Sequence, residues 1–532
     1  MLTTASRLGF LIFFLFFSFS FLLLQNLPFT FGDDLNIVYI AKITDWSKLI
    51  GEFVHPFTQA LYVHGLSCQL STRVFQTLIF KLSYLLGGYQ VNFFWLHKAL
   101  AYGFCCSGVF AIVSHFSKKI YPGAFAAMFI GFCTPVILSM AWLADTEVVA
   151  QAFLIMSLYI FIRLADPAFN GSKIKTAVLL VGYFLAAWAA MKLKETARII
   201  PLITLGYLIL TWKGDRGPGK ALRSVLLILS GILFLSIIPG FREAQVVIDT
   251  KSHGVLQNLS VKGLMTVAAR LFDYFFIPSA VLIFYAILGF FTRFNFPKPA
   301  AVTGKESPLW IVLALWTLFS LAGFTLGFDI ESNPRYMTTP MIPLGIVMFI
   351  LLGRAFERVV EANGRILTRI FSVFFLIACL FQGFPGSKNG FFVFKLDEVL
   401  YARNFWGGTD IAIFKMASRV YSDYYGRSEP TWQDLHHFFH HEKNRFSGMQ
   451  LKEWDINQKF DNKQLSESFT EWGALYVYSF SPDLETRYSW LNKIYEDTTD
   501  NNSFYSGIIK KIKKKAVRRF YLYKAAAIPA SL

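Results

Sequence analysis

At 532 residues, 55% of them hydrophobic and only 16% charged, with a mean hydropathy of +0.46, the chain is too apolar for a soluble multidomain protein and reads as a multi-pass membrane protein. Its formal net charge of +17 has two ordinary sources, nucleic-acid binding and basic cytoplasmic loops, and the positions of the charges decide between them. Cys68, Cys105, Cys106, Cys133 and Cys379 fall mostly inside apolar runs, without CxxC or regular spacing, and so suggest neither a disulfide framework nor a zinc motif.

The first apolar run, Leu8–Leu27, starts like a secretory signal. It exceeds the usual core of about 7–15 residues and lacks an Ala-x-Ala-like cleavage site, so it reads as an uncleaved first span. Further runs long enough to cross about 30 Å of hydrocarbon lie near 91–115, 121–143, 147–163, 176–193, 196–212, 221–239, 271–291, 309–328, 336–353 and 367–385. The expectation is an all-α polytopic region of about 11 membrane helices. Between the first two runs, Val74–Leu86 is apolar but too short to span, bounded by Arg73 and Gly87–Gly88; it reads as a helix lying in the membrane interface.

With a cytoplasmic N-terminus, the inner loops hold Lys118 and Lys119; Arg163, Lys173 and Lys175; Lys213, Arg216, Lys220 and Arg223; Arg293, Lys298 and Lys305; and Arg354, Arg358, Arg365 and Arg369. Every short inner loop is then basic, as the positive-inside rule requires, and the nucleic-acid reading loses its support. The same topology puts 28–90, 144–146, 192–195, 240–270, 329–335 and everything after about 386 on the outer side, where acids stand alone or mixed with bases.

Two domains are expected: a membrane domain over 1–385, with a long outer loop at 28–90, and a small extracytoplasmic α+β domain over 386–532. In the second, "GALYVYSFSP" alternates like a strand and "TDIAIFKMASRVYSDYY" has helical period. Its end, "IIKKIKKKAVRRFYLYK", reads as a basic amphipathic helix for the membrane surface. The chain has no internal repeat, so the inverted-repeat signature of many transporters is missing.

Charged groups concentrate at the outer ends of the spans. Asp33–Asp34 follows the first run and Asp145-Thr-Glu147 opens another. Either set alone also fits a helix end, where acids at an N-terminus gain about 0.3–1 kcal/mol from the dipole. In "MKLKETARIIP", Lys192, Lys194, Glu195 and Arg198 crowd one tight turn. Glu195 and Arg198 can pair at i,i+3, which leaves Lys192 and Lys194 unexplained. In "FDIESNPRYMTTP", Arg335 stands behind Asn333–Pro334 at the start of a span, where an interfacial anchor is the simpler account. Acids and bases at one depth make a site that can activate a hydroxyl, bind a cation or hold a phosphate.

The acidic pair after the first span, the helical outer loop, "DTEVVAQAFLI", "KETARIIPLITLGYLI" and "NPRYMTTPMIPL", in that order, resemble the GT-C superfamily of integral-membrane glycosyltransferases. The nearest branch is that of the protein O-mannosyltransferases and aminoarabinose transferases. The resemblance covers about residues 1–385 and rests on short motifs, of which Lys-Glu followed by Pro201 is the most specific.

It implies an inverting glycosyltransferase that takes a sugar from a polyprenyl-phosphate donor to an acceptor hydroxyl of a lipid, glycan or protein. The site would face outward from a bacterial inner (plasma) membrane. Asp33 or Asp34 inherits the catalytic-base role, and Lys192, Lys194, Arg198 and Arg335 are candidates for the donor phosphate. Asp145, Glu147 and Glu195 form the second acidic motif. In metal-using branches a divalent ion, Mg or Mn, would be held at Asp34, Asp145 and Glu147; other branches work without metal, and the sequence does not choose. Membrane lipids are the remaining partners, and no nucleic acid is implied.

Two other functions stay open: a lipid-linked glycan ligase or polymerase, and a transporter or flippase. Transporters carry ionisable groups near the midplane, whereas here charges concentrate at span ends; His97 and Lys98 are the exceptions, in the outer third of their span. "DLHHFFHHE" offers His436/His440 and His437/His441 at a zinc-compatible spacing, but no third ligand is evident and a solvated helix face accounts for it. His55 and His64 are ordinary loop histidines or acceptor-binding aids, and Asn258 and Asn501 stand in sequon-like triplets that often occur by chance.

Overall fold

The computed structural model describes residues 4–25, 44–54, 74–88, 90–167, 169–212, 218–237, 309–327, 337–363, 476–479, 482–498 and 519–526, with a few isolated positions besides. Its helices are α1 (Thr4–Leu24), α2 (Trp46–Val54), α3 (Val74–Gly87), α4 (Val91–Ser117), α5 (Ile120–Gly131), α6 (Thr134–Ala141), α7 (Glu147–Ala165) and α8 (Lys173–Leu193). A 3-10 turn, Glu195–Arg198, leads into α9 (Ile199–Leu210). There follow α10 (Lys220–Ile237), α11 (Leu309–Gly327) and α12 (Thr338–Asn363).

Apolar segments of this length become helices because a helix satisfies its own backbone where no water can. Among the described residues, α1, α4, α7, α8 and α10 are long and apolar enough to cross a membrane. Val74–Gly87, Ile120–Gly131, Thr196–Leu210, Leu309–Ala322 and Thr338–Leu352 are shorter apolar helical stretches, and the expected spans at 271–291 and 367–385, Val373 apart, lie outside the described residues. One expected span is interrupted and two depart locally from a regular helix. The run 121–143 breaks at Phe132–Cys133, with a proline in the first turn of α6, as befits a residue that lacks an N–H. The run from 196 opens as a 3-10 turn, and α12 carries Pro343 inside it.

Helix α4 is the central post, with Trp95, Tyr102, Cys105, Cys106 and Val109 fully buried. Helix α1 lies against it through an aromatic ladder: Phe13 on Phe104 and Phe16 on Tyr102. The approach is close because Gly103 faces α1, where an added Cβ would come within 2.9 Å of the Phe13 carbonyl oxygen. The Tyr102 hydroxyl donates to the Gly131 carbonyl at the break between α5 and α6. A single core runs from α1 through α12.

The ends of the helices sort into two sets. At one, His115 of α4 meets Asp166 beyond α7 at 3.5 Å and Arg223 of α10 donates to the Trp212 carbonyl after α9. The bases Lys118, Lys119, Lys173 and Lys175 sit at the same end by chain order. The other end gathers the starts of α4, α7 and α12, the finish of α8, and the short helices α2 and α3. Helix α3 buries Val74, Gln76, Thr77, Phe80, Lys81 and Ser83 and exposes Leu82, Leu85 and Leu86, a two-faced arrangement suited to an interface.

Near the C-terminus, β1 (Tyr476–Ser479), β2 (Leu491–Thr498) and β3 (Arg519–Ala525) form an antiparallel sheet in the order β1-β3-β2. Strand β3 pairs Val477 with Tyr523 on one side and Lys493 with Tyr523 on the other. Tyr521, Tyr523 and Ala525 join Leu484, Trp490 and Leu491 in a small separate core. The alternation in "GALYVYSFSP" does yield β1. The expected basic amphipathic helix over 508–524 is corrected in its last part, because "RFYLYKA" is β3. Its alternating aromatics fit a pleated surface with partners on both sides better than a helix. The rest of that stretch and "TDIAIFKMASRVYSDYY", Arg419 apart, lie outside the described residues.

Candidate functional site

The site forms where α7 begins. Of the amide groups that a helix start leaves without intrahelical partners, the Glu147 N–H donates to Asp145 Oδ1 at 3.0 Å and the Val148 N–H donates to Ser139 Oγ at 3.0 Å. Asp145, one residue before the N-cap Thr146, thus takes up the first amide of the helix. Lys98 Nζ ties the end of α6 to the turn before α7, donating to Ser139 O at 3.2 Å and also to Asp145 O. Gln76 of α3 donates to Ala144 O at 2.8 Å.

Glu147 follows, fully buried. One carboxylate oxygen, Oε1, faces Lys194 Nζ at 3.4 Å, with side-chain exposures of 0% and 5%. The other, Oε2, accepts from the Thr196 hydroxyl at 3.3 Å and from the Thr339 hydroxyl at 3.2 Å. Thr339 in turn accepts from Gln151 Nε2 at 3.1 Å, one turn along α7. Lys194 reaches Glu147 because it ends α8 in an extended conformation, with φ −153 and ψ 142. A carboxylate so deep needs this company, since an isolated buried charge is strongly disfavoured.

Beside it, Lys192 Nζ donates to the Glu52 carbonyl of α2 at 3.3 Å and sits 5.2 Å from the Trp188 ring centroid, within cation–π range. Trp188 Nε1 donates to the next carbonyl, Phe53 O, at 2.9 Å. Helix α2 is therefore pinned by its last carbonyls to the end of α8. Its approach is fixed by Lys81 of α3, which donates to Ala41 O at 3.1 Å and to Thr44 O at 2.6 Å and lies over the Trp46 ring.

Of the residues expected from the sequence, Asp145, Glu147, Lys192 and Lys194 are brought together. Arg198, half-buried in the 3-10 turn, is near enough for its charge to act on Lys192. Glu195 opens that turn; its side chain lies outside the described residues, as do Asp33, Asp34, Arg335, His55, His64, the histidines near 436–441, and the Asn258 and Asn501 triplets. The Lys192 and Lys194 left over in the sequence acquire partners here, Lys192 on α2 and Lys194 on Glu147. Sequence reasoning passed over Thr196, Thr339, Gln151, Ser139 and Gln76. Three of these were findable: Gln151 stands at i,i+4 from Glu147, and Thr196 and Thr339 lie inside the quoted motifs.

At Glu147 a divalent ion would compete with the partners that the carboxylate already has. Both Glu147 oxygens and Asp145 Oδ1 already face an ammonium, hydroxyls or an amide. Among the described residues no group of three or more His, Cys, Asp or Glu side chains could hold a metal ion. Asp34, the third expected ligand, lies outside them.

No family model and no curated protein matches the chain. Among solved structures it is similar to the crystal structure of ArnT from Cupriavidus metallidurans bound to undecaprenyl phosphate, at 13% identity and a TM-score of 0.41, covering 78% of this chain and 71% of that one. The apo state of the same protein gives 14% identity, a TM-score of 0.41 and coverages of 78% and 72%. The archaeal oligosaccharyltransferase AglB from Archaeoglobus fulgidus, in complex with an inhibitory peptide and a dolichol-phosphate, gives 14% identity, a TM-score of 0.38 and coverages of 74% and 54%. No residue role is transferred from likenesses this distant.

Proposed function

We propose that the chain is a membrane-embedded glycosyltransferase that moves a sugar from a polyprenyl-phosphate donor to an acceptor hydroxyl, with inversion, on the outer face of a plasma membrane. The observation that carries this reading is the convergence, at the end of the bundle opposite the basic loops, of buried Lys98, Lys192 and Lys194 with Asp145 and Glu147. Charged groups inside a membrane protein are costly and mark function, and the topology read from the basic loops puts this set toward the outer side.

In this reading Asp33 or Asp34 takes the proton of the acceptor hydroxyl as the oxygen attacks the anomeric carbon. The lipid phosphate leaves with growing negative charge, which Lys192, Arg198 and Arg335 stabilise. A single base on the far side of the anomeric carbon gives inversion. A retaining route, by glycosidase analogy, would need a second carboxylate about 5–5.5 Å from the first, and the side chains of adjacent residues normally point apart.

The test is sugar transfer by purified protein from labelled polyprenyl-phosphate sugars, with undecaprenyl phosphate, the lipid of the ArnT crystal structure, as the first carrier. Asp33→Asn, Asp34→Asn or their combination should abolish transfer while the protein still accumulates. Full activity in all three would remove the base assignment, and substrate uptake by vesicles without sugar release would favour a transporter.

A further inference from the structure

We infer that Lys194 is the resident cation of the Asp145-Thr-Glu147 motif: it stands where a divalent ion would be needed and makes that ion unnecessary for neutralising Glu147. The geometry supports this from both sides of the carboxylate. Oε1 faces the Lys194 ammonium at 3.4 Å, and Oε2 holds two hydroxyls, at 3.3 Å and 3.2 Å. All the partners belong to the chain, and both charges are buried. A hard cation prefers oxygen ligands in open positions; here Oε2 accepts two hydroxyls and Oε1 has an ammonium at ion-pair distance. The ammonium comes from the residue that closes α8, so the same contact that balances the charge also fixes the turn carrying Thr196 and Arg198.

Glu147 is on this view a positioning residue. It ties the end of α8 to the starts of α7 and α12, through Lys194, Thr196 and Thr339. The inference does not depend on the transferase reading, because its test reads metal response and stability rather than sugar transfer.

The experiment is thermal unfolding of full-length protein in detergent, with MnCl2 or with EDTA. Wild type should show the same midpoint in both. Lys194→Ala leaves the carboxylate facing a space the size of an ammonium stem, and saturating Mn2+ should raise its midpoint by about 2 °C or more, reversibly with EDTA. Glu147→Gln/Lys194→Ala, without the charge, should again be silent to Mn2+. If Lys194→Ala fails to accumulate, Glu147→Gln/Lys194→Met should accumulate better than Lys194→Met alone, since both partners are then neutral. A reversible Mn2+ shift in wild type that Glu147→Gln removes would overturn the inference, and so would a double variant no more stable than the single one.

Discussion

Glu147 and Lys194 form a salt bridge of 3.4 Å across two helix ends, with both side chains almost wholly removed from the surface. For such a pair the cost of taking charges from water rivals their attraction, so the pair as a whole contributes little while the loss of one partner is severe. Lys194→Met alone should therefore destabilise by about 3–5 kcal/mol, and Glu147→Gln/Lys194→Met by clearly less. A double-mutant cycle on unfolding midpoints measures the coupling, and additive effects would show that the two side chains act separately.

Lys98 holds the turn before α7 by its carbonyls. In Lys98→Met those carbonyls lose a charged donor, worth about 1.5–3 kcal/mol. Hydrogen exchange at the amides of 142–148 should accelerate while exchange in the lower half of α4 stays unchanged. Unaltered protection of the turn would remove Lys98 from its support.

Gly103 and Gly51 make a matched contrast. A methyl at Gly103 runs into Phe13, backbone and ring alike, whereas one at Gly51 meets nothing within 4 Å. Gly103→Ala should cost about 1–3 kcal/mol through overpacking between α1 and α4. Gly51→Ala should be neutral or stabilising, because alanine favours helix over glycine by about 1 kcal/mol. Unfolding midpoints of the two variants decide the point.

Arg198 and Arg335 test the phosphate reading. A guanidinium binds phosphate oxygens in a fork that lysine cannot reproduce. Arg→Ala at either position should weaken binding of free polyprenyl phosphate and of the sugar donor alike and spare the acceptor, and Arg→Lys should retain part of it. Glu195→Gln should leave lipid-phosphate affinity unchanged or raise it. Equilibrium binding of labelled lipid phosphate reads all of these, and unchanged affinity in both alanine variants would remove the role.

The membrane helices were legible because a 20-residue apolar run has few other fates, and α1, α4, α7 and α8 fall close to the expected runs. The gathering of Asp145, Glu147, Lys192 and Lys194 was legible from their shared depth once loop charge had set the topology. The partner of each was not. Glu147 meets Lys194 only because α8 ends in one extended residue, and Thr339 closes the ring from a helix 192 positions away; neither fact leaves a trace in local pattern. The break at Phe132–Cys133 was missed because hydropathy reads through it, although Pro135 marked it. Strand β3 is hidden in the sequence because a run of lysines and arginines leads straight into its aromatics.

The contacts around Glu147 also set an order of assembly during synthesis. Helix α7 emerges with its carboxylate before Lys194 exists, and Thr339 follows 192 residues behind. Until α8 is complete, the acid at the head of α7 must stay in water or headgroups, which favours late settling of that end of the helix. Helix α2, made early, waits likewise: the groups that hold its last carbonyls, Trp188 and Lys192, come 135 and 140 residues after the carbonyls they bind. A ribosome stalled between α7 and α8 should therefore carry a nascent chain whose helix α2 is still open to proteases, and completion of α8 should close it off.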